Sequence, residues 1–328
     1  MSTSPRRLGH TGPTVFPIAL GCMGMSGMYG PADENESIAT IHAAVEAGIT
    51  LFDTGDFYGI GHNERLLAKA LSDRRKNVQL SVKFGALRAP GGGWLGVDGR
   101  PAAVKNFLAY SLDRLETDHV DIYRLARLDP QVPIEDTVGA MAEMVKAGYV
   151  RHIGLSEVNP ETVRRAQAVH PIVDVQLEYS LASRGVESSL PALREMGVGV
   201  TAYGVFSRGL LTGSKPKGPA DFRAWLPRFK GENAATNQTA QNALSSLADG
   251  LHLTPAQLAL AWVLSKGNDI VPVVGARTRK QLADALGALS LDLSAETLAL
   301  VERAVTPENI AGTRYAAEQM GMLDSERT

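Results

Sequence analysis

Three ionisable side chains, Asp53, Tyr58 and Lys83, stand at spacings that would let them act together. A free tyrosine has a pKa of roughly 10, too high for efficient proton transfer near neutral pH. A neighbouring ammonium stabilises the phenolate and lowers that pKa, and a buried carboxylate can hold the ammonium in place and keep it charged. The three together would make a tuned general acid. Asp53 and Lys83 alone have a plainer reading, an ion pair on a sheet rim, and Tyr58 separates the two.

The elements that must position them alternate. Short apolar strands are expected at Phe16–Leu20, Ile49–Phe52, Val78–Val82, Val120–Tyr123, Val150–Leu155, Val173–Leu177, Val198–Ala202 and Ile270–Val274. Amphipathic helices follow them at Ser37–Ala47, Glu64–Leu71, Ala102–Leu115, Ile134–Ala147, Glu161–Val169, Leu190–Met196, Asn242–Asp249 with Pro255–Ser265, and Arg279–Leu286. Gly48, Gly148, Gly197, Gly250 and Gly267 stop helices. Eight strand-then-helix units predict an α/β fold, a (β/α)8 TIM barrel over residues 1–328 as one domain. An open doubly wound sheet is the alternative. Arg7–Val15 reads as a short N-terminal hairpin plugging the barrel bottom, and Ala295–Ala304 as an extra C-terminal helix. Two long loops, 84–100 and 204–241, follow strands and so fall on the C-terminal face, where barrel sites are built. On that face stand Asp53, Lys83, Ser156, Gln176, Tyr203 and Gly275, with Tyr58 just beyond Asp53.

At these residues the chain resembles the aldo-keto reductase family. The strings are GCMGMSGMYG at 21–30, LFDTGDFYGIGHNE at 51–64, VKFG at 82–85, VRHIGLSE at 150–157, QLEYS at 176–180, AYGVFSRGLLTG at 202–213 and VPVVGARTRKQL at 271–282. Seven ordered matches at strand ends are specific, where a lone Asp-x-x-x-x-Tyr-Gly would be weak. The resemblance runs from about residue 7 to about 290. It implies NADPH-dependent reduction of a small-molecule carbonyl on a barrel, and no Gly-x-Gly-x-x-Gly opens a helix after the first strand. By position it makes Asp53, Tyr58 and Lys83 catalytic. It gives Ser156 and Gln176 to the nicotinamide carboxamide and Tyr203 to ring stacking. It gives Gly204, Val205, Phe206, Ser207, Gly209 and Leu210 to the pyrophosphate through backbone N–H groups. Gly275, Arg277 and Gln281 fall to the adenosine 2′-phosphate, with Arg277 as the charge.

The resemblance also implies a histidine at the end of the fourth strand, in Tyr-x-x-His-Arg-x-Asp. Here DIYRLARLDP at 121–130 puts Ala126 there, beside Arg127. Loss of one such donor typically costs about 10²–10³ in rate if nothing replaces it. One reading has Tyr58 serving alone in a widened pocket, as in pyridoxal-reductase-like members with a similar Ala-Arg pair, which would suit aromatic aldehydes such as pyridoxal. His62 or Arg127 is the candidate replacement donor. A different bond, or a non-catalytic NADPH-binding barrel like potassium-channel β-subunits, is the alternative function. Asp284-Ala285 departs from the family's common Glu-Asn. Met25, Met28, Tyr29, Phe57, Trp94 and Trp225 are placed to line an apolar mouth with Ala126 and Arg127. The other histidines form no cluster, no spacing suggests metal ligation, and Cys22 reads as a small buried hydrophobe.

Composition bounds the rest. A chain of 328 residues with 44% hydrophobic and 21% charged residues needs no disulfide or metal to fold. A net charge of −2 gives no reason to expect nucleic acid or an anionic membrane as partner. Met1–Gly12 holds no apolar run of leader length, and no stretch approaches the roughly 18 apolar residues of a membrane span. The single cysteine fits a reducing compartment, and a cytoplasmic address is expected. Oligomeric state is not legible.

Overall fold

The computed structural model describes residues 4–327; residues 1–3 of the stretch read for a leader lie outside the described residues. Eight parallel strands close into a barrel. They are β1 (Ala19–Gly21), β2 (Leu51–Gly55), β3 (Gln79–Phe84), β4 (Val120–Leu125), β5 (Val150–Ser156), β6 (Ile172–Glu178), β7 (Gly199–Tyr203) and β8 (Ile270–Gly275). Helices follow in chain order: α1 (Glu34–Glu46), α2 (His62–Leu71), α3 (Pro101–Leu115), α4 (Ile134–Lys146), α5 (Pro160–Gln167), α6 (Leu190–Glu195), α7 (Gly231–Gly250), α8 (Pro255–Leu264), α9 (Arg279–Gly287), α10 (Ala295–Ala304) and the short α11 (Ala317–Met320). The ring places β3 opposite β7.

The strands are buried on both faces, as covered parallel strands must be: β2 and β6 are buried at every residue. Caps fix where the helices begin. Asp33 accepts from Glu36 N at 2.7 Å to open α1, and Asn159 accepts from Thr162 N at 2.9 Å to open α5. Thr254 and Gln257 form a capping box on α8.

The N-terminal hairpin pairs Arg6–Arg7 with Thr14–Val15. Leu8, fully buried, packs with Val15, Ala19, Leu51, Ile122 and Val271 to fill the barrel's lower interior. The Arg6 guanidinium donates to the carbonyls of Leu264 (3.1 Å) and Gly267 (3.0 Å), so a cation sits at the C-terminal end of α8.

Three expectations are corrected. The first strand begins at Ala19, not Phe16, because the Phe16 N–H donates to Thr50 Oγ1 (3.0 Å) instead of entering the ladder. α7 begins at Gly231, eleven residues before the expected Asn242. Residues 231–241 lack an apolar stripe, but Asn237 bonds the carbonyls of Arg228 and Ala311 (2.9 Å each) and anchors that half. The loop after β3 is not structureless: Ala86–Arg88 and Trp94–Val97 pair as an antiparallel hairpin.

Between β2 and α2 lies a buried acidic pair. Asp56 and Glu64 are 7% and 0% exposed, and Arg114 pairs with Glu64. Burial, then the Glu64 charge, pushes the Asp56 carboxyl up to about 8, against the opposing pull of Arg114. Among the described residues no helix is long and apolar enough to cross a membrane.

Candidate active site

Register brings the site residues to one level. Asp53 on β2 lies opposite Ser81 on β3, and Gly55 opposite Lys83. Lys83 forms an ion pair with Asp53 in which both side chains are nearly inaccessible. Asp53 also accepts from Gln176 Nε2 (2.8 Å) and from Ser81 Oγ (3.2 Å). Below them Arg124 and Asp174, both wholly buried, pair at 2.8 Å, with Thr201 Oγ1 donating to Asp174 at 2.6 Å. Gly154 makes room: a Cβ there would meet the Arg124 guanidinium at 2.8 Å.

Tyr58 follows in the β2–α2 loop, 7% exposed. The Lys83 ammonium lies 5.1 Å from the centre of its ring, and Phe57 packs edge-on at 4.8 Å. The direction expected for the Tyr58 pKa is not the one found. Burial pushes the phenol well above its ordinary value, and Asp53, Tyr29 and Tyr315 push it further; Arg127 opposes them. Burial also lowers the Lys83 ammonium, although Asp53 pulls it back up. The Asp53 carboxylate that holds Lys83 therefore also adds to the upward push on the Tyr58 phenol.

These groups line a cavity of about 520 Å³ at the C-terminal face. Of the expected residues, Asp53, Tyr58, Lys83, Ser156, Gln176, Tyr203, Gly204, Val205, Phe206, Gly209, Gly275, Arg277 and Gln281 lie on its wall, as do Met28, Tyr29, Phe57, Trp94, Ala126 and Arg127. Ser156 and Gln176 face each other across β5 and β6. Ser207 and Leu210 are not on the wall: Leu210 packs into the main core, and Ser207 is buried, its hydroxyl 3.3 Å from the Arg228 guanidinium.

The β7 loop winds into a tight turn, with Ser207 and Arg208 at positive φ. The N–H groups of Ser207, Gly209 and Leu210 bond carbonyls of that turn. The backbone donors expected to meet a phosphate at these three positions are thus used internally. The side chains of Arg208 and Arg223 line the same stretch of cavity.

Several other placements differ from expectation. His62 is exposed and bonds Ser26 Oγ at 2.9 Å, away from the cavity, whereas Arg127 is on the wall. Met25 is in the core instead of at the mouth, while Cys22 is the small buried hydrophobe expected of it. Trp225 is 60% exposed, its indole N–H donating to Pro219 O. Asp284 reaches the cavity and Ala285 is buried in the core. No three His, Cys, Asp or Glu side chains gather as a metal site among the described residues.

The segment after α10 was missed altogether. Tyr315, Gln319, Met322 and Leu323 line the cavity. Arg314 grips Glu157, at the end of β5, through both carboxylate oxygens (2.9 and 2.8 Å). Tyr203 Oη donates to Glu157 at 2.8 Å and lies 3.1 Å from Tyr315 Oη. Ser325 N donates to Glu157 O, and Asp324 accepts from Asn159 N (3.0 Å) and Thr162 Oγ1 (2.7 Å). Burial alone would raise the Glu157 carboxyl, but Arg314, Arg127 and Ser325 hold it down at about 2. Only the arginine at 314 and the acidic residues at 324 and 326 could have hinted at this clasp, and no local pattern names their partners.

Residues 17–306 match the profile described as the aldo/keto reductase family. The chain is 40% identical over 317 residues to a probable aldo-keto reductase 1 of Glycine max, covering 95% of this chain and 91% of that protein. It is 37% identical over 327 residues to the aldo-keto reductase yakc [NADP(+)] of Schizosaccharomyces pombe, covering 96% and 95%. Among solved structures, the glycerol dehydrogenase AKR11B4 of Gluconobacter oxydans superposes with a TM-score of 0.82 at 26% identity, covering 95% and 99% of the two chains. The holo form of aldo-keto reductase AKR11C1 of Bacillus halodurans gives 0.78 at 27% identity, covering 95% and 98%.

Proposed function

This chain belongs to the aldo/keto reductase family, and from that premise we propose that it reduces an aldehyde or ketone to the alcohol with NADPH, Tyr58 delivering the proton. The observation that carries the reading is the buried Asp53–Lys83 pair, with the Lys83 ammonium 5.1 Å from the centre of the Tyr58 ring, on one cavity wall.

The donor set fits a nicotinamide dinucleotide phosphate. The wall carries Arg127, Arg208, Arg223 and Arg277 for phosphates and a tyrosine face for a flat ring. Gln176 gives its N–H to Asp53, which leaves its carbonyl oxygen to accept from a carboxamide, while Ser156 offers a hydroxyl. The hydroxyl of Tyr203 is tied to Glu157, which fixes the ring for stacking. When bound, the cofactor supplies a hydride to the carbonyl carbon.

The protein's own part is the proton. A phenol whose pKa burial and Asp53 have raised stays protonated and donates a hydrogen bond to the carbonyl oxygen. The alkoxide forming on that oxygen is a stronger base than the phenolate, so it takes the proton. Lys83 and Arg127 then stabilise the phenolate left behind. Ala126 offers no donor, and Arg127, beside it on the wall, is the candidate to supply one. Met28, Tyr29, Phe57 and Trp94 make the substrate side apolar and aromatic, which favours aromatic aldehydes such as pyridoxal.

The test is NADPH oxidation with aromatic aldehydes by wild type and Tyr58→Phe. Removal of a general acid is expected to lower kcat by about 10²–10⁴ with little change in NADPH affinity. Equal turnover by the two proteins would remove Tyr58 from the mechanism.

A further inference from the structure

The cavity wall carries six cations, and five have a partner within the protein. Lys83 is paired with Asp53, Arg208 with Glu178 (2.7 Å) and Arg223 with Asp221 (2.8 Å). Arg127 donates to Ala126 O (2.6 Å), and Arg277 to Tyr29 O (3.0 Å). Arg88 is the exception. Its side chain makes no ion pair or hydrogen bond among the described residues, and its Nε is buried without a partner. Burial, with nothing opposing it, pulls this guanidinium below its ordinary pKa. A buried donor left unsatisfied is costly, and more so if charged, so such a group calls for an acceptor.

Arg88 does not stand alone. Directly across the loop hairpin its register partner is Trp94, whose indole N–H is also buried without a partner. Both side chains line the cavity, and neither can accept a hydrogen bond. They belong to the loop hairpin that follows β3, whereas the turn assigned above to the cofactor phosphates follows β7, on the opposite side of the ring. Phe57, Met28 and Tyr58 line the same cavity.

We propose that Arg88 and Trp94 form an anion-reading end of the substrate pocket, and that the preferred substrate is an aldehyde or ketone whose far end bears a carboxylate or a phosphate. This rests on the reductase reading. Guanidinium and indole N–H present donors only, so a neutral ester or alcohol in the same place satisfies them less well than an anion.

The test compares 4-formylbenzoate, 4-formylphenyl phosphate and the neutral methyl 4-formylbenzoate on the NADPH-loaded enzyme. Wild type is expected to favour at least one anionic aldehyde over the ester by tenfold or more in kcat/KM, and which one it favours names the anion. Arg88→Gln should bring that ratio towards one, Arg88→Lys should keep part of it, and Trp94→Phe should lower it a few-fold. An unchanged ratio in Arg88→Gln, or a wild type that prefers the ester, overturns the proposal. Calorimetric binding of the same aldehydes to the NADP+-loaded protein separates the two readings. If no aldehyde is reduced, the reductase reading fails, while an anion preference in binding that Arg88→Gln abolishes still supports the pocket, and equal binding still removes it.

Discussion

Arg277 illustrates how one side chain can serve two ends. Its guanidinium lies on the cavity wall and also donates to Tyr29 O, so it ties the β1 loop to the β8 loop. If it also reads a 2′-phosphate, Arg277→Ala should lose a charged hydrogen bond worth about 1.5–3 kcal/mol, a tenfold or greater rise in the Kd for NADPH. Binding of NADH, which lacks that phosphate, should change much less. Fluorescence titration with both cofactors measures this, and equal losses would leave Arg277 a loop tie only. At this scale the sequence is informative where chemistry resides in residue type. Asp53, Tyr58 and Lys83 were readable because a phenol, an ammonium and a carboxylate near strand ends suggest acid catalysis. Arg88 was not. Whether an arginine is paired depends on neighbours in space, and its local string resembles that of any loop arginine. The Tyr58 pKa direction was misread for the same reason, since burial and Asp53 outweigh the ammonium.

At the scale of elements, the segment from Thr313 to Arg327 behaves as a strap. It is held less by apolar burial than by the Arg314–Glu157 fork, the Glu157–Ser325 bonds and the Asp324 contacts at the start of α5. Removing one partner of a buried pair costs about 3–5 kcal/mol, because the other charge is left desolvated. Arg314→Gln should therefore speed hydrogen exchange of the amides at 314–327 at least a hundredfold, and leave the barrel strands protected. Unaltered exchange in the strap would show that other contacts hold it. The helices and strands were legible because their periodicity is written locally. The strap was not, since its turns are short and its partners lie 157 or more residues away. The loop hairpin carrying Arg88 escaped notice because three glycines, Gly91–Gly93, mask its pairing pattern.

For the whole molecule, eight alternations were enough to predict closure, and the barrel strands moved only at their boundaries. Its stability, however, answers to pH through a residue outside the cavity. Asp56 has a folded pKa of about 8, against about 3.9 when unfolded. Between those values the folded state keeps a proton that the unfolded chain has released. The stabilisation is complete below the unfolded pKa and is lost as pH rises through the folded one, by at most about 1.4 kcal/mol per pH unit. Urea midpoints from pH 5 to 8 should fall for wild type and stay flatter for Asp56→Asn, so that the two diverge as pH rises. Parallel curves would mean that Asp56 does not hold its proton.

The strap has one more consequence, in time rather than in space. A chain leaving the ribosome has delivered all eight strands once Gly275 emerges, and the barrel can close. Glu157 must then wait for Arg314, some forty residues on. During that interval the Glu157 carboxylate has not met the counter-charge that holds it in the finished structure. The site is therefore completed last, after the scaffold around it has set.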